Sequence, residues 1–183
     1  MQIISWNCRG LGNPLKVEAI KDLLKIVSSG ILLLQETKIE EESLLLLSKT
    51  KWKLNVGKVV SARGTSGGLA TLWSGEELQL NHWLATQHWI FTDLYHISSK
   101  ISLALFNLYV PVNFNEKKEC WKTLSDFIET NSPTNTIVAG DHNIYLAPNE
   151  KKDGVCGNDH FQDMVEELIQ VCDLKEFKPK KER

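Results

Sequence analysis

The feature that most constrains this chain is a three-part pattern near its start: an extended stretch, an amphipathic helix, and an apolar run without alternation. Gln2-Ile3-Ile4-Ser5-Trp6-Asn7-Cys8 reads as a first strand and Arg9-Gly10-Leu11-Gly12 as a turn. Asn13 followed by Pro14 predicts a helix start, because an Asn side chain accepts from free first-turn amides and a proline there has no N–H to leave unpaired. Ile20, Leu23, Leu24 and Val27 fall at i, i+3, i+4, i+7 and predict one buried helix face, which Ser28-Ser29-Gly30 ends. Ile31-Leu32-Leu33-Leu34 follows, apolar at every position. Strand side chains point alternately to opposite faces, so such a run needs cover on both sides. Strand, helix and doubly covered strand together predict an α/β architecture.

The remaining bounds are modest. A chain of 183 residues with 42% hydrophobic and 24% charged residues fits one globular domain with a respectable core. A formal net charge of -2 argues against a strongly basic nucleic-acid binder. If the substrate is nucleic acid, a bound divalent cation or a fused region must supply part of the attraction. The N-terminus lacks the basic and apolar regions of a signal peptide, and the aliphatic runs Ile31–Leu34 and Leu44–Leu47 are too short to span a bilayer. Cys8, Cys120, Cys156 and Cys172 have no paired spacing and fit reduced thiols in an intracellular, nuclear or cytoplasmic, protein rather than a secreted one. Cys156 and His160 lie a helical turn apart, too few ligands for zinc.

Further along, a second helix is predicted from about Glu40 to Ser48. Between Trp52 and Val112 apolar segments recur between turn residues, at Leu54–Val60, Leu69–Trp73, Leu78–Leu84, Trp89–Tyr95 and Ile101–Val110, predicting an antiparallel meander with turns at Ser66-Gly67-Gly68 and Ser74-Gly75. Trp52, Trp73, Trp83 and Trp89 read as core residues with at most one exception. A third helix opens at Asn113 or Asn115 and carries Cys120, Trp121, Leu124, Phe127 and Ile128 on one face. Ile137-Val138-Ala139 reads as a buried strand stopped by Gly140. After a loop from Pro148 to Asn158, Asp159 with Gln162 resembles a capping box for a fourth helix, striped with Phe161, Met164, Val165, Leu168, Ile169 and Cys172. Residues 1–174 are expected to form the domain, and 175–183 a Lys-rich frayed tail.

The polar residues that interrupt these strands sit at their ends: Asn7, Glu36, Tyr109, and the pair Asp141 and Asn143. Ligands of open α/β sheets bind beyond the carboxyl ends of the strands. Each residue also has an ordinary reading, Asn7, Asp141 and Asn143 as turn formers, Glu36 as a cap and Tyr109 as a half-buried strand residue. As a set they offer more. A Glu carboxylate and an Asn carbonyl are hard oxygen ligands suited to Mg2+. A tyrosine hydroxyl and an Asn amide donate to phosphate oxygens, and an Asp orients or deprotonates water. The set reads as metal-assisted phosphodiester hydrolysis.

Ser5-Trp6-Asn7-Cys8-Arg9-Gly10-Leu11-Gly12, Leu34-Gln35-Glu36-Thr37-Lys38, Ser66-Gly67-Gly68-Leu69, Asn107-Leu108-Tyr109 and Gly140-Asp141-His142-Asn143 occur in the order found in the endonuclease/exonuclease/phosphatase superfamily. More narrowly, the chain resembles the endonuclease domain of plant non-LTR (LINE-type) retrotransposons, and the resemblance spans nearly all of it. It implies a four-layered α/β/β/α sandwich of the DNase I-like kind, a DNA-nicking activity that primes reverse transcription, and Mg2+, with Mn2+ as the alternative ion. By match, Glu36 holds the metal with Asn7 beside it, Tyr109 contacts the scissile phosphate, and Asp141 and Asn143 position water and stabilise the charged transition state. The implied partners are DNA and a fused or former reverse transcriptase, in a monomer without membrane contact.

One motif of the family is absent. None of His82, His88, His96, His142 or His160 is preceded by Ser-Asp, the family's last signature. His142 stands inside Gly-Asp-X-Asn, where alternation along an extended chain predicts that it points away from Asp141 and Asn143. The expectation is therefore a C-terminally truncated copy, lacking the last strands of the second sheet and impaired as a nuclease. Two alternatives stand beside it: a non-catalytic remnant with at most weak nucleic-acid binding, and a phosphoesterase of the same fold acting on a small phosphoester.

Overall fold

The structure is a computed structural model and describes residues 1–26, 30–62, 67–144 and 160–177. These fall into two compact units, residues 1–111 with 134–142, and residues 112–133 with those from 143 onward.

The first unit holds two four-stranded sheets. Sheet one has the order β1 (Gln2–Asn7), β2 (Gly30–Gln35), β4 (Leu69–Trp73), β3 (Val56–Val60), with β1 and β2 parallel and the other pairs antiparallel. Sheet two has the order β5 (Leu78–Ala85), β6 (Trp89–His96), β7 (Ile101–Tyr109), β8 (Thr136–Asp141), antiparallel except for the parallel β7–β8 pair. The run Ile31–Leu34 explains the layering. Ile31 and Leu33 pack with Trp73, Leu78, Leu94, Leu103 and Leu105 between the two sheets. Leu32 and Leu34 point the other way and pack with Ile20, Leu44, Trp52 and Leu72 under a helical layer. That layer comprises α1 (Pro14–Ile26), α2 (Glu41–Leu47) and a π-helical turn over Ser48–Trp52. Three layers, helix, sheet and sheet, are thus closed within this unit.

The second unit pairs α3 (Phe114–Asn131) with α4 (Gln162–Val171). Asn113 is the cap of α3, its Oδ1 accepting from the amides of Asn115 at 3.0 Å and Glu116 at 3.2 Å. The Phe114 and Phe161 rings stand 5.0 Å apart. The mixed α/β class predicted from the sequence is the class observed.

Several local expectations need correction. On α1 the inward positions are Val17, Ile20 and Leu24, while Leu23 is exposed, because the stripe runs i, i+3, i+7 rather than through both i+3 and i+4. Trp52 ends the π-helical turn and donates its indole N–H to the Val17 carbonyl at 3.0 Å. The single meander is in fact split: β3 and β4 pair in sheet one, and the chain crosses at Ser74-Gly75 to begin sheet two. Hydrophobic alternation marks where strands are but says nothing of which sheet they join. Ile137 is 37% exposed because β8 pairs only with β7 among the described residues, so this strand is half-covered rather than buried. Trp52, Trp73 and Trp89 are core residues, and Trp83 is the exposed exception, beneath the Lys58 ammonium 4.1 Å from its ring centre. Phe161 occupies the cap position of α4 without a side-chain cap bond; Asp159, Val27, Ser66 and the loop from Pro148 to Asn158 lie outside the described residues.

Candidate functional site

Three backbone segments are laced together where the strands of sheet one end. The parallel pairing of β1 with β2 continues past Asn7: the Cys8 amide donates to the Gln35 carbonyl at 3.0 Å, Gly10 to Glu36 at 2.6 Å and Leu11 to Thr37 at 3.0 Å. On the other side the Thr37 and Lys38 amides donate to the carbonyls of Gly68 and Gly67, both at 3.2 Å. Gly68 has φ +93°, and a Cβ there would run into the Thr37 hydroxyl and backbone, so no larger residue fits this lacing. Glu36 and Lys38 are left in the left-handed region at φ +53° and +56°. Non-glycine residues held there cost on the order of 1 kcal/mol or more and persist where surrounding bonds over-determine them. Lys16 of α1 secures the first loop, its ammonium donating to the carbonyls of Cys8 at 2.7 Å, Arg9 at 3.1 Å and Gly10 at 3.2 Å.

This framework brings Asn7, Glu36, Tyr109 and Asp141 together. Asn7 Nδ2 donates to Glu36 Oε1 at 2.8 Å and to Asp141 Oδ2 at 2.6 Å. Its Oδ1 accepts from the Arg9 amide at 3.1 Å, which fixes which end of the amide faces the carboxylates. One neutral amide therefore bridges two acids from opposite sheets. The β7–β8 register sets Tyr109 opposite Asp141, with the Glu36 carboxylate near its phenol. Burial, and then the negative charges of Glu36 and Asp141, push the Tyr109 phenol above its ordinary value, so it stays a proton donor throughout the neutral range. Lys38 Nζ stands 3.7 Å from Glu36 Oε2. Burial lowers the His142 imidazole, against the opposing pull of Asp141.

Asn143 belongs to the second unit. It has φ +46°, and its carbonyl accepts from the Lys117 ammonium at 2.6 Å. Lys117 is 8% exposed, a buried lysine also lying over the Phe161 ring at 5.4 Å.

The donor set suits a hard cation. No group of three or more His, Cys, Asp or Glu able to hold a metal occurs among the described residues. The site instead offers two carboxylates, oxygen donors of the kind Mg2+ takes while keeping several of its own waters, with the Asn7 amide N–H and the Tyr109 phenol beside them. Thiolate and imidazole ligands, which would favour zinc, are missing from the cluster.

Sequence reasoning passed over Gln35 and Asn107, joined between the sheets, and Lys16, which holds the first loop; it also passed over Lys117, which holds the Asn143 carbonyl within the second unit. Gln35 and Asn107 carried a readable signal, as polar positions at the end of one apolar run and inside another. The lysines carried none, since an amphipathic helix ordinarily shows lysines to solvent.

No family model matches this sequence, and neither does any curated protein. Solved structures do match. The AP endonuclease LMAP from Leishmania major superposes with a TM-score of 0.69 at 16% identity, over 93% of this chain and 66% of that one. The endonuclease domain of TRAS1, a telomere-specific non-LTR retrotransposon, gives 0.64 at 13% identity, over 93% of this chain and 69% of that one. The Bacteroides thetaiotaomicron mannosyl-6-phosphatase Bt3783 gives 0.60 at 12% identity, over 78% of this chain and 65% of that one. What these proteins share with the chain is the DNase I-like fold. The chain spans about two thirds of their length.

Proposed function

We propose that this chain is a Mg2+-dependent phosphodiesterase domain that nicks DNA, of the type found in plant LINE retrotransposons. The observation that carries the reading is the Asn7 amide bridging Glu36 and Asp141. Two acids from opposite sheets repel one another, and a bound cation would offset that repulsion.

In this reading Glu36 would hold Mg2+, with Mn2+ as a substitute and Asn7 beside it, and the ion would supply charge neutralisation at a phosphate oxygen. Asn7 fixes the two carboxylates through one amide. Asp141 orients the attacking water and accepts its proton. Tyr109, held protonated, donates to a non-bridging phosphate oxygen as charge gathers there in the transition state. Asn143 enters from the motif alone, as a second donor to that charge. The oxygen that leaves also needs a proton, and the 183 residues contain no Ser-Asp-His triplet to supply it. Nicking by these residues alone is therefore slow. The wider assignment places the domain with a fused or former reverse transcriptase in a nuclear or cytoplasmic setting, acting as a monomer; no helix among the described residues is long and apolar enough to cross a membrane.

The test is relaxation of supercoiled plasmid by the purified chain with Mg2+ or chelator, beside Glu36→Ala and Asp141→Ala. Nicking that requires the metal and both acids supports the reading; equal nicking by either variant removes it. The phosphatase of the same fold supports a second reading, hydrolysis of a small phosphoester. A panel of phosphosugars and phosphoinositides assayed beside plasmid separates the two.

A further inference from the structure

We propose that Gln35 and Asn107 are a positioning pair, which aligns the two sheets so that Glu36 and Asp141 meet at the Asn7 amide; the functional part of this rests on the reading of the site given above. Asn107 is fully buried and Gln35 is 1% exposed. Gln35 Nε2 donates to Asn107 Oδ1 at 2.7 Å and to Ser5 Oγ at 3.3 Å. Asn107 Nδ2 donates to the Ala70 carbonyl at 2.8 Å, with the Leu34 carbonyl and Thr71 Oγ1 at 3.4 Å. A single side chain of β7 thus reaches across the sandwich to both central strands of sheet one. Each amide has its oxygen and nitrogen ends assigned by its partners, so the arrangement has one orientation.

Most of this interior is apolar. Apolar contact is non-directional, so two packed sheets can slide by a fraction of an ångström at little cost. Hydrogen bonds between fully buried amides have no such tolerance, because a displaced group is left unpaired where water cannot reach it. The cluster needs this restraint. Glu36 follows Gln35 directly, Asn107 pairs with Ala139 two residues before Asp141, and the bond between Asn7 and Asp141 crosses from one sheet to the other. Gln35 and Asn107 lie immediately behind the two groups whose spacing matters.

The experiment replaces the pair by apolar residues together, Gln35→Met with Asn107→Leu, so that no lone amide stays buried. Three quantities are read: melting temperature, the Mg2+ dissociation constant by calorimetry, and the NMR shifts of the Asn7 side-chain amide, assigned with Asn7→Leu. A packing control, Leu33→Ala, cuts an apolar side chain from the same interior. The double variant is expected to melt close to the parent, bind Mg2+ about tenfold more weakly, and move the Asn7 amide resonances towards those of a solvent-exposed amide. Leu33→Ala is expected to melt lower while leaving the other two readings in place. Unchanged Mg2+ binding and Asn7 resonances in the double variant overturn the proposal, as does an equal change in Leu33→Ala. If the parent binds no Mg2+, the reading of the site fails, and the Asn7 resonances still decide whether the pair aligns the sheets. If the double variant does not fold, Asn107→Asp, which keeps the shape but sets an acid against the Ala70 carbonyl, is read by the same resonances.

Discussion

Replacing Gly140 by alanine tests how the site is held. Gly140 has φ +137°, a region that L side chains rarely adopt, and sits opposite Leu108 in the parallel β7–β8 pair. An added Cβ would overlap the Leu108 carbonyl oxygen and stand 2.7 Å from its nitrogen and 2.9 Å from its carbonyl carbon. These are backbone atoms of a buried strand, so no side chain can rotate aside and β8 itself must move. Holding alanine in this conformation costs about 1–3 kcal/mol, and overpacking against a fixed strand costs about 1–3 kcal/mol more. At about 2–4 °C per kcal/mol for a chain of this size, the melting temperature should fall by roughly 4–24 °C. Asp141 is the next residue, so nicking by the protein that remains folded should fall by about a hundredfold for an ångström of displacement. Thermal unfolding followed by circular dichroism, with plasmid nicking below the transition, gives both readings. Gly12→Ala is the control, because nothing lies within 4 Å of a Cβ built there. If Gly140→Ala and Gly12→Ala melt alike, the strand-displacement reasoning is wrong.

Other perturbations probe separate links. Asn7→Leu removes the one amide that joins Glu36 to Asp141, and should lower nicking by about 10²–10³-fold while the far-ultraviolet spectrum is retained; wild-type turnover would detach Asn7 from the chemistry. Burial raises the Cys8 thiol to about 11 and the Cys120 thiol to about 12, so both should resist iodoacetamide at neutral pH and react only on unfolding, as peptide mass mapping would show. His142 is depressed by burial, so its contribution to stability is complete above the unfolded value of about 6.5 and is lost as pH falls through its lower folded value. His142→Val should therefore unfold less steeply than the parent between pH 6.5 and more acid conditions, and parallel acid unfolding curves would contradict this.

Local chemistry made much of this protein legible before any coordinates. The helix starts at Asn13-Pro14 and Asn113, the doubly covered run Ile31–Leu34, and the positions of most strands follow from caps, periodicity and turn residues acting over a few neighbours. Asn7, Glu36, Tyr109 and Asp141 could likewise be named as strand-end residues, and their order in the chain suggested a shared chemistry. Tertiary structure alone decided the rest. Which strands share a sheet, and that β5 leaves β4 to start a second one, depends on how apolar faces are buried against distant partners, and burial has no local signature. The bridge from Asn7 to Asp141 spans 134 residues of sequence. The polar pair Gln35 and Asn107 has meaning only between two sheets that the chain must first build. A residue's type and near neighbours fix what it can donate, accept or bury; what it meets is fixed by the packing of the whole chain, because the hydrophobic force that assembles the sheets is strong but has no direction of its own.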